Sequence, residues 1–325
     1  MDIEIGTGAL DMFFQLADGA TSTEIVFTGG EPLLRFPTLK FLVYYAERHA
    51  RAANISVRFV LKTNGTRINT EVIAFLKRHR MKAVVSIDGT SFTHDKARRG
   101  QAGCDTHQVV IAGFKALLNS GVHCVASITT LPDTCGDLLE NVQYLHTLGA
   151  EYIDVGPAYG TVHWLRSDIT RFLRGLEAVA SFMRGTRLAG KRLEVGPLYQ
   201  KSEHIGGQLT DSWGCGAVST NIAILPDGRV SGCSSLAMLA LKFPNVIIGD
   251  VQHGIDNEAA SDLLAIAQAG YSHRPRCKEC SVSANCAGGC LAINYAQLGK
   301  PLIPPRFYCR SMAALPKAWK IAWAN

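Results

Sequence analysis

Four cysteines crowd into one stretch, Cys277-Lys-Glu-Cys280-Ser-Val-Ser-Ala-Asn-Cys286-Ala-Gly-Gly-Cys290. A Cys-x2-Cys step turns two thiolates toward one ion or cluster, whereas a disulfide across so few residues is usually strained. Cys215 and Cys233 lie upstream with Gly228 between them, and Cys309 lies downstream, so the last third of the chain holds seven thiols. Zinc and iron–sulfur both take such ligands, and four thiolates would satisfy one tetrahedral zinc. Seven fits neither one nor two all-thiolate zinc sites. Two [4Fe–4S] clusters would use them as one complete set of four and one set of three with an open iron.

A second group of polar residues falls at the ends of expected strands. Glu24–Thr28 reads as a short buried strand running into Gly29-Gly30-Glu31-Pro32. Two glycines there let the backbone approach a ligand closely, and a carboxylate stands at the strand's C-terminal end. Asn64 in Thr63-Asn64-Gly65, Ser86 and Asp88 in Ser86-Ile87-Asp88-Gly89, and Thr129 sit on or just past later strand ends. In a parallel sheet these ends share one rim, where a single cofactor could meet them.

Cys215-x12-Gly228-x4-Cys233, then Cys277-x2-Cys280-x5-Cys286-x3-Cys290, then Cys309 resembles the seven-cysteine pattern of the SPASM domain, the C-terminal module of many radical S-adenosylmethionine enzymes. The half before it, with Gly-Gly-Glu-Pro, Thr-Asn-Gly and Ser-Ile-Asp-Gly, resembles the radical S-adenosylmethionine barrel. That resemblance implies two auxiliary [4Fe–4S] clusters with interleaved ligands: Cys277, Cys280, Cys286 and Cys309 on one, Cys215, Cys233 and Cys290 on the other. Some members add an eighth thiol six residues after the first, a position held here by Asn221. It also implies S-adenosylmethionine at Gly29, Gly30, Glu31 and Pro32, with Ser86, Asp88 and Asn64 on the ribose side. The implied partners are a peptide or protein substrate, a separate recognition protein that delivers it, and a reductant such as flavodoxin or ferredoxin.

Thr93-His94-Asp95-Lys96-Ala97-Arg98-Arg99-Gly100 resembles the His-Asp-x-x-Arg loop of peptide-modifying members, and by composition it reads as a solvated, charged loop. Sulfatase-maturing members place an Asp directly after the second SPASM cysteine; Ser234 stands there, which sets that subclass aside. The family's catalytic cluster is held by Cys-x3-Cys-x2-Cys, and no cysteine precedes Cys104. The expectation is therefore a peptide or protein maturase shortened at its N-terminus, with Met1 an internal start; the alternative is a catalytically degenerate iron–sulfur protein for electron transfer or partner binding.

The elements that must position these residues alternate. Helices over about 9–17, 37–51, 69–78, 106–119, 133–148 and 167–185 are interleaved with strands over 24–28, 56–61, 83–87, 123–129 and 152–155. Five strands of this kind make a parallel sheet curled as a partial barrel, an α/β fold that lacks the first strand of a (β/α)6 barrel. Residues 1–185 are assigned to that barrel and 186–325 to a small cysteine-rich SPASM domain, entered through a hairpin with a Pro226-Asp227-Gly228 turn. Met312 to Trp323 reads as a closing helix with Pro316 in its first turn. Cys124 reads as a small apolar residue of its strand, and Cys104 and Cys135 have no assigned role.

At 325 residues and 47% hydrophobic, the chain can bury a large core. It has no 18-residue apolar run and no secretory signal at its start, so a membrane span is not expected and the cytoplasm is. The net charge of +6 is spread without a basic run, which argues against nucleic acid.

Overall fold

The computed structural model describes residues 1–199, 215–270, 273–286 and 289–324, and these divide into two compact units. The larger takes 20–158, 162–199 and 314–324; the smaller takes 1–19, 159–161 and the described part of 215–313. Neither unit is continuous in sequence. Helix α1, Ile3–Leu16, opens the chain in the smaller unit, with Asp2 accepting from the Ile5 N–H at its start.

The larger unit is built on six parallel strands in chain order: β1 Ser22–Phe27, β2 Ser56–Thr63, β3 Lys82–Ser86, β4 Cys124–Thr130, β5 Tyr152–Pro157 and β6 Glu194–Gly196. They are joined by α2 Phe36–Ala52, α3 Thr70–Arg78, α4 Ser91–Ala97 with α5 His107–Asn119, α6 Leu138–Thr147 and α7 Arg166–Leu188. In-register neighbours share a sheet face because side chains alternate along each strand. Leu61, Ala83, Val85, Ala126, Ile128, Ile153 and Val155 make one buried face. The opposite face carries Lys62, Val84, Ser86, Ser127, Thr129, Asp154 and Gly156, all at least partly exposed. A sheet with one apolar face under helices and one polar face can bind polar ligands on the second.

Five differences from the sequence reading have physical reasons. β1 is not buried: it is the sheet's edge, paired only with β2, and Val26 is 40% exposed. β6 was not expected, because three residues carry no period to read. α7 runs through Gly185 rather than stopping there, since Met183 and Thr186 on either side are buried and packing outweighs the helix cost of one glycine. The segment expected as a solvated loop is helix α4, with His94 fully buried. The final helix begins at Arg306, so Pro316 lies inside it.

The smaller unit has a four-stranded antiparallel sheet ordered β10-β9-β8-β7, from β7 Ala223–Ile224, β8 Arg229–Ser231, β9 Ile247–Asp250 and β10 Gly254–Ile255. The expected hairpin is present: Gly228 takes φ +91° in the turn and the Leu225 N–H donates to the Arg229 carbonyl at 2.8 Å. Around the sheet lie α8 Ser234–Ala237, α9 Asn257–Gln268, α10 Ser283–Cys286, α11 Leu291–Leu298 and the start of α12, Arg306–Trp323. Met12 of α1 joins Val230, Leu236, Val246, Ile248, Leu263, Leu291 and Tyr295 in its core.

Candidate cofactor and cluster sites

At the C-terminal rim of the parallel sheet, Gly29 takes φ +129°, a conformation that favours glycine. No atom lies within 4 Å of where a Cβ would stand on Gly29 or Gly30, so this turn faces open space. Glu31 does not. Its Oε1 accepts from the Leu33 N–H at 3.1 Å and the Thr63 hydroxyl at 2.7 Å, and its Oε2 from the Asn64 N–H at 2.7 Å. The carboxylate thereby ties the turn after β1 to the turn after β2, and Pro32 begins the short 3-10 helix that follows. Asn64 spends its side-chain carbonyl on the N–H and hydroxyl of Thr66. Ser86 is half-buried beside Ser127 in the register, and its hydroxyl takes no hydrogen bond among the described residues.

Asp88, expected on the ribose side, lies in an ion pair. It is 1% exposed, Arg98 grips it with Nε to Oδ2 at 2.6 Å and Nη2 to Oδ1 at 3.0 Å, and Oδ1 also accepts the Thr129 N–H at 2.8 Å. Arg98 comes from the end of α4 and is held by the His-Asp-x-x-Arg residues themselves. The Asp88 N–H donates to His94 Nδ1 at 3.3 Å, so the ring proton belongs on Nε2, which donates to the Thr106 hydroxyl at 3.1 Å. Thr106 donates in turn to the Arg98 carbonyl at 2.7 Å. Asp95 accepts the N–H groups of Thr106 and His107 at the start of α5. Burial is the main cause that lowers the His94 pKa from 6.5 to about 4, partly opposed by Asp88, so the ring is neutral at pH 7.

In the smaller unit the thiols fall into two groups. Cys277 feels Cys286 and Cys280, and Cys309 feels Cys286, Cys277 and Cys280. Cys233 feels Cys290 and Cys215. Burial raises the Cys277, Cys309 and Cys233 thiols, with Arg274 opposing it at Cys277, Arg276 at Cys309, and the Leu236 and Ser235 N–H groups at Cys233. Among the described residues no three His, Cys, Asp or Glu side chains converge on a point that one metal ion could fill. Asn221 turns its side-chain amide back to the Gly216 carbonyl and the Thr220 hydroxyl.

Two residues that motif reasoning passed over stand beside these groups. Tyr308 is influenced by Cys286, Cys290 and Cys309, and Tyr159 by Cys290 and Cys233. Tyr308 is adjacent to a motif cysteine, which was a signal; Tyr159, far off in sequence, gave none. All ten cysteines are free thiols. Cys124 is buried in β4, and Cys135 donates to the carbonyls of Pro132 and Asp168.

Residues 10–145 match the family model described as the radical SAM superfamily. That span holds strands β1 to β4. Over a longer stretch, 94% of the chain aligns with 78% of a serine-type anaerobic sulfatase-maturating enzyme from Klebsiella aerogenes at 26% identity. A 91% share aligns with 80% of a cysteine-type anaerobic sulfatase-maturating enzyme from Clostridium perfringens at 21% identity. The structure of anSMEcpe with bound AdoMet and Kp18Cys peptide superposes with TM-score 0.77 at 18% identity, covering 99% of this chain and 91% of that one. Streptococcus suis SuiB bound to S-adenosylmethionine superposes with TM-score 0.63 at 16% identity, covering 94% and 70%. The chain thus shares its fold with these proteins. No helix among the described residues is long and apolar enough to cross a membrane.

Proposed function

We propose that this chain binds S-adenosylmethionine at the rim of its radical SAM domain and two auxiliary [4Fe–4S] clusters in its cysteine-rich unit, and serves as a maturase that modifies a peptide or protein. The observation that carries this reading is the division of seven thiols into a group of four and a group of three, a donor set whose chemistry fits iron–sulfur clusters. Cys277, Cys280, Cys286 and Cys309 would hold one cluster; Cys215, Cys233 and Cys290 the other. The open cradle at Gly29 and Gly30 and the unpartnered Ser86 hydroxyl fit S-adenosylmethionine. Glu31 acts by holding the Gly29-Gly30 turn against Thr63 and Asn64, and Arg98 by pairing with the Asp88 carboxylate.

S-adenosylmethionine supplies 5′-deoxyadenosyl radical chemistry when bound beside a reduced catalytic cluster. No Cys-x3-Cys-x2-Cys stands in the sequence to hold that cluster. A reductant of the flavodoxin or ferredoxin class and a recognition protein for the substrate complete the scheme. The ten free thiols suit the reducing cytoplasm.

Anoxic reconstitution should give about eight iron per chain, two clusters of four. Cys280→Ala and Cys309→Ala should each remove the same cluster, and Cys233→Ala the other; removal of different clusters by the first two substitutions would defeat the assignment. Calorimetry with S-adenosylmethionine should show binding weakened by Glu31→Gln, and binding indifferent to that change would move the cofactor away from this rim. A narrower reading, maturation of a sulfatase, is favoured by the long alignments to sulfatase-maturating enzymes and opposed by Ser234.

A further inference from the structure

On the polar face of the parallel sheet, Ser86 of β3, Ser127 of β4, Asp154 of β5 and Gly196 of β6 stand side by side in register. The Ser127 hydroxyl, like that of Ser86, takes no hydrogen bond among the described residues, and the Asp154 side chain has one partner there. Its Oδ1 accepts the Tyr199 hydroxyl at 2.5 Å, which leaves Oδ2 over. Gly196 makes room for that contact, since a Cβ on it would stand 2.6 Å from Asp154 Oδ1 and 3.0 Å from the Tyr199 ring. α12 fixes the segment: the Trp323 and Trp319 indoles donate to the carbonyls of Leu198 and Tyr199 at 2.9 and 3.2 Å. Burial and then the Asp154 carboxylate raise the Tyr199 hydroxyl pKa, so the phenol keeps its proton for this bond.

The two carboxylates of this face are answered differently. Asp88 is paired with Arg98, whereas Asp154 has no ion pair among the described residues. Asp154 is half-buried, and a carboxylate partly withdrawn from water and held by one neutral hydroxyl keeps acceptor sites for a donor that carries charge. It lies two strands from Ser86, about 10 Å at the usual strand spacing, so a group bound to it would sit beside the S-adenosylmethionine site and not in it. We propose that Asp154, positioned by Tyr199, binds the cationic side chain of an arginine or lysine in the peptide substrate, with the Ser127 hydroxyl as a second contact. The proposal names a substrate class for the maturase and rests on that reading.

The test is calorimetry on the anoxically reconstituted full chain with two peptides, acetyl-Gly-Gly-Arg-Gly-Gly-amide and its citrulline counterpart, which has the same shape without the charge. The arginine peptide should bind at least about tenfold more tightly, the span of one charge-assisted hydrogen bond. Asp154→Asn should abolish that preference. Tyr199→Phe should narrow it while the citrulline peptide binds as before, a change of ratio that a merely structural role would not give. Ser127→Lys sets a cation at the neighbouring register position and should block the arginine peptide alone, so it decides the matter should Asp154→Asn fail to fold. Equal binding of the two peptides by the parent, or a preference that survives Asp154→Asn or Ser127→Lys, would overturn the proposal. So would an Asp154→Asn protein whose affinity for S-adenosylmethionine falls by the same factor, because the carboxylate would then belong to the cofactor, which also carries an ammonium group. A chain that prefers the arginine peptide but binds no S-adenosylmethionine would keep this site and overturn the maturase reading, whereas Glu31-dependent cofactor binding without a peptide preference overturns only this site.

Discussion

The parallel-sheet unit and the cysteine-rich unit hold their shapes by different means. In the first, five of the six strands run five to eight residues, and a continuous apolar face from Leu61 to Val155 is buried. In the second, among the described residues, the strands run two to four residues and two of the helices only four, around a core of 12 buried side chains. Small cores are marginal without staples. The seven grouped thiols all lie in the second region. One region is organised by apolar area and the other by what its cysteines bind, so the two should respond differently to the same insult.

The sharpest way to break this contrast is to remove iron. Metal-held domains draw folding free energy from their ligand bonds. Chelation of the reconstituted protein should abolish amide-exchange protection across the cysteine-rich unit and leave β2, β3 and β4 protected. Protection that survives in both regions would show that the small apolar core is sufficient by itself.

Within the parallel-sheet unit the weak point is polar. Arg98→Leu leaves the Asp88 carboxylate buried with its ion pair gone, at a cost of about 3–5 kcal/mol. Urea unfolding of the domain should show that loss, and Asp88→Asn combined with Arg98→Leu should recover part of it. A single variant as stable as the parent would mean that the Arg98 pair is dispensable.

The smallest of the three effects is a pH response confined to the same domain. The folded His94 pKa, about 4, lies below the unfolded 6.5, so between these values the unfolded chain holds a proton that the folded one excludes. Stability is therefore intact above about pH 6.5 and is lost as pH falls toward 4, by about 3 kcal/mol in all. His94→Asn should flatten that slope in unfolding measurements at pH 7 and 4.5. Asp88, Asp95, Arg98 and His107 act on the same ring, so equal slopes in parent and variant would assign the pH response to them.

Much of the sheet was legible because a long strand repeats every two residues and a helix every 3.6, and both periods survive in a linear reading. β2 to β5 and their helices were visible in this way. β6 was not, having three residues, and β1 showed an apolar run that does not say whether a neighbour covers it. The turn was readable at Gly29, where φ +129° favours glycine, whereas the pairing of Asp88 with Arg98 was not, because a carboxylate looks the same on paper whether free or gripped.

By itself the sequence determined the α/β alternation, the open glycine turn and the number of thiols. Each is a local property or a simple count. The tertiary structure alone decided that Arg98 and His94 meet Asp88 and that Tyr159, far off in sequence, comes under the influence of Cys290 and Cys233. Those are meetings of side chains between distant turns, and burial, which gives a charge its strength, is a property of the packed chain and not of any one residue.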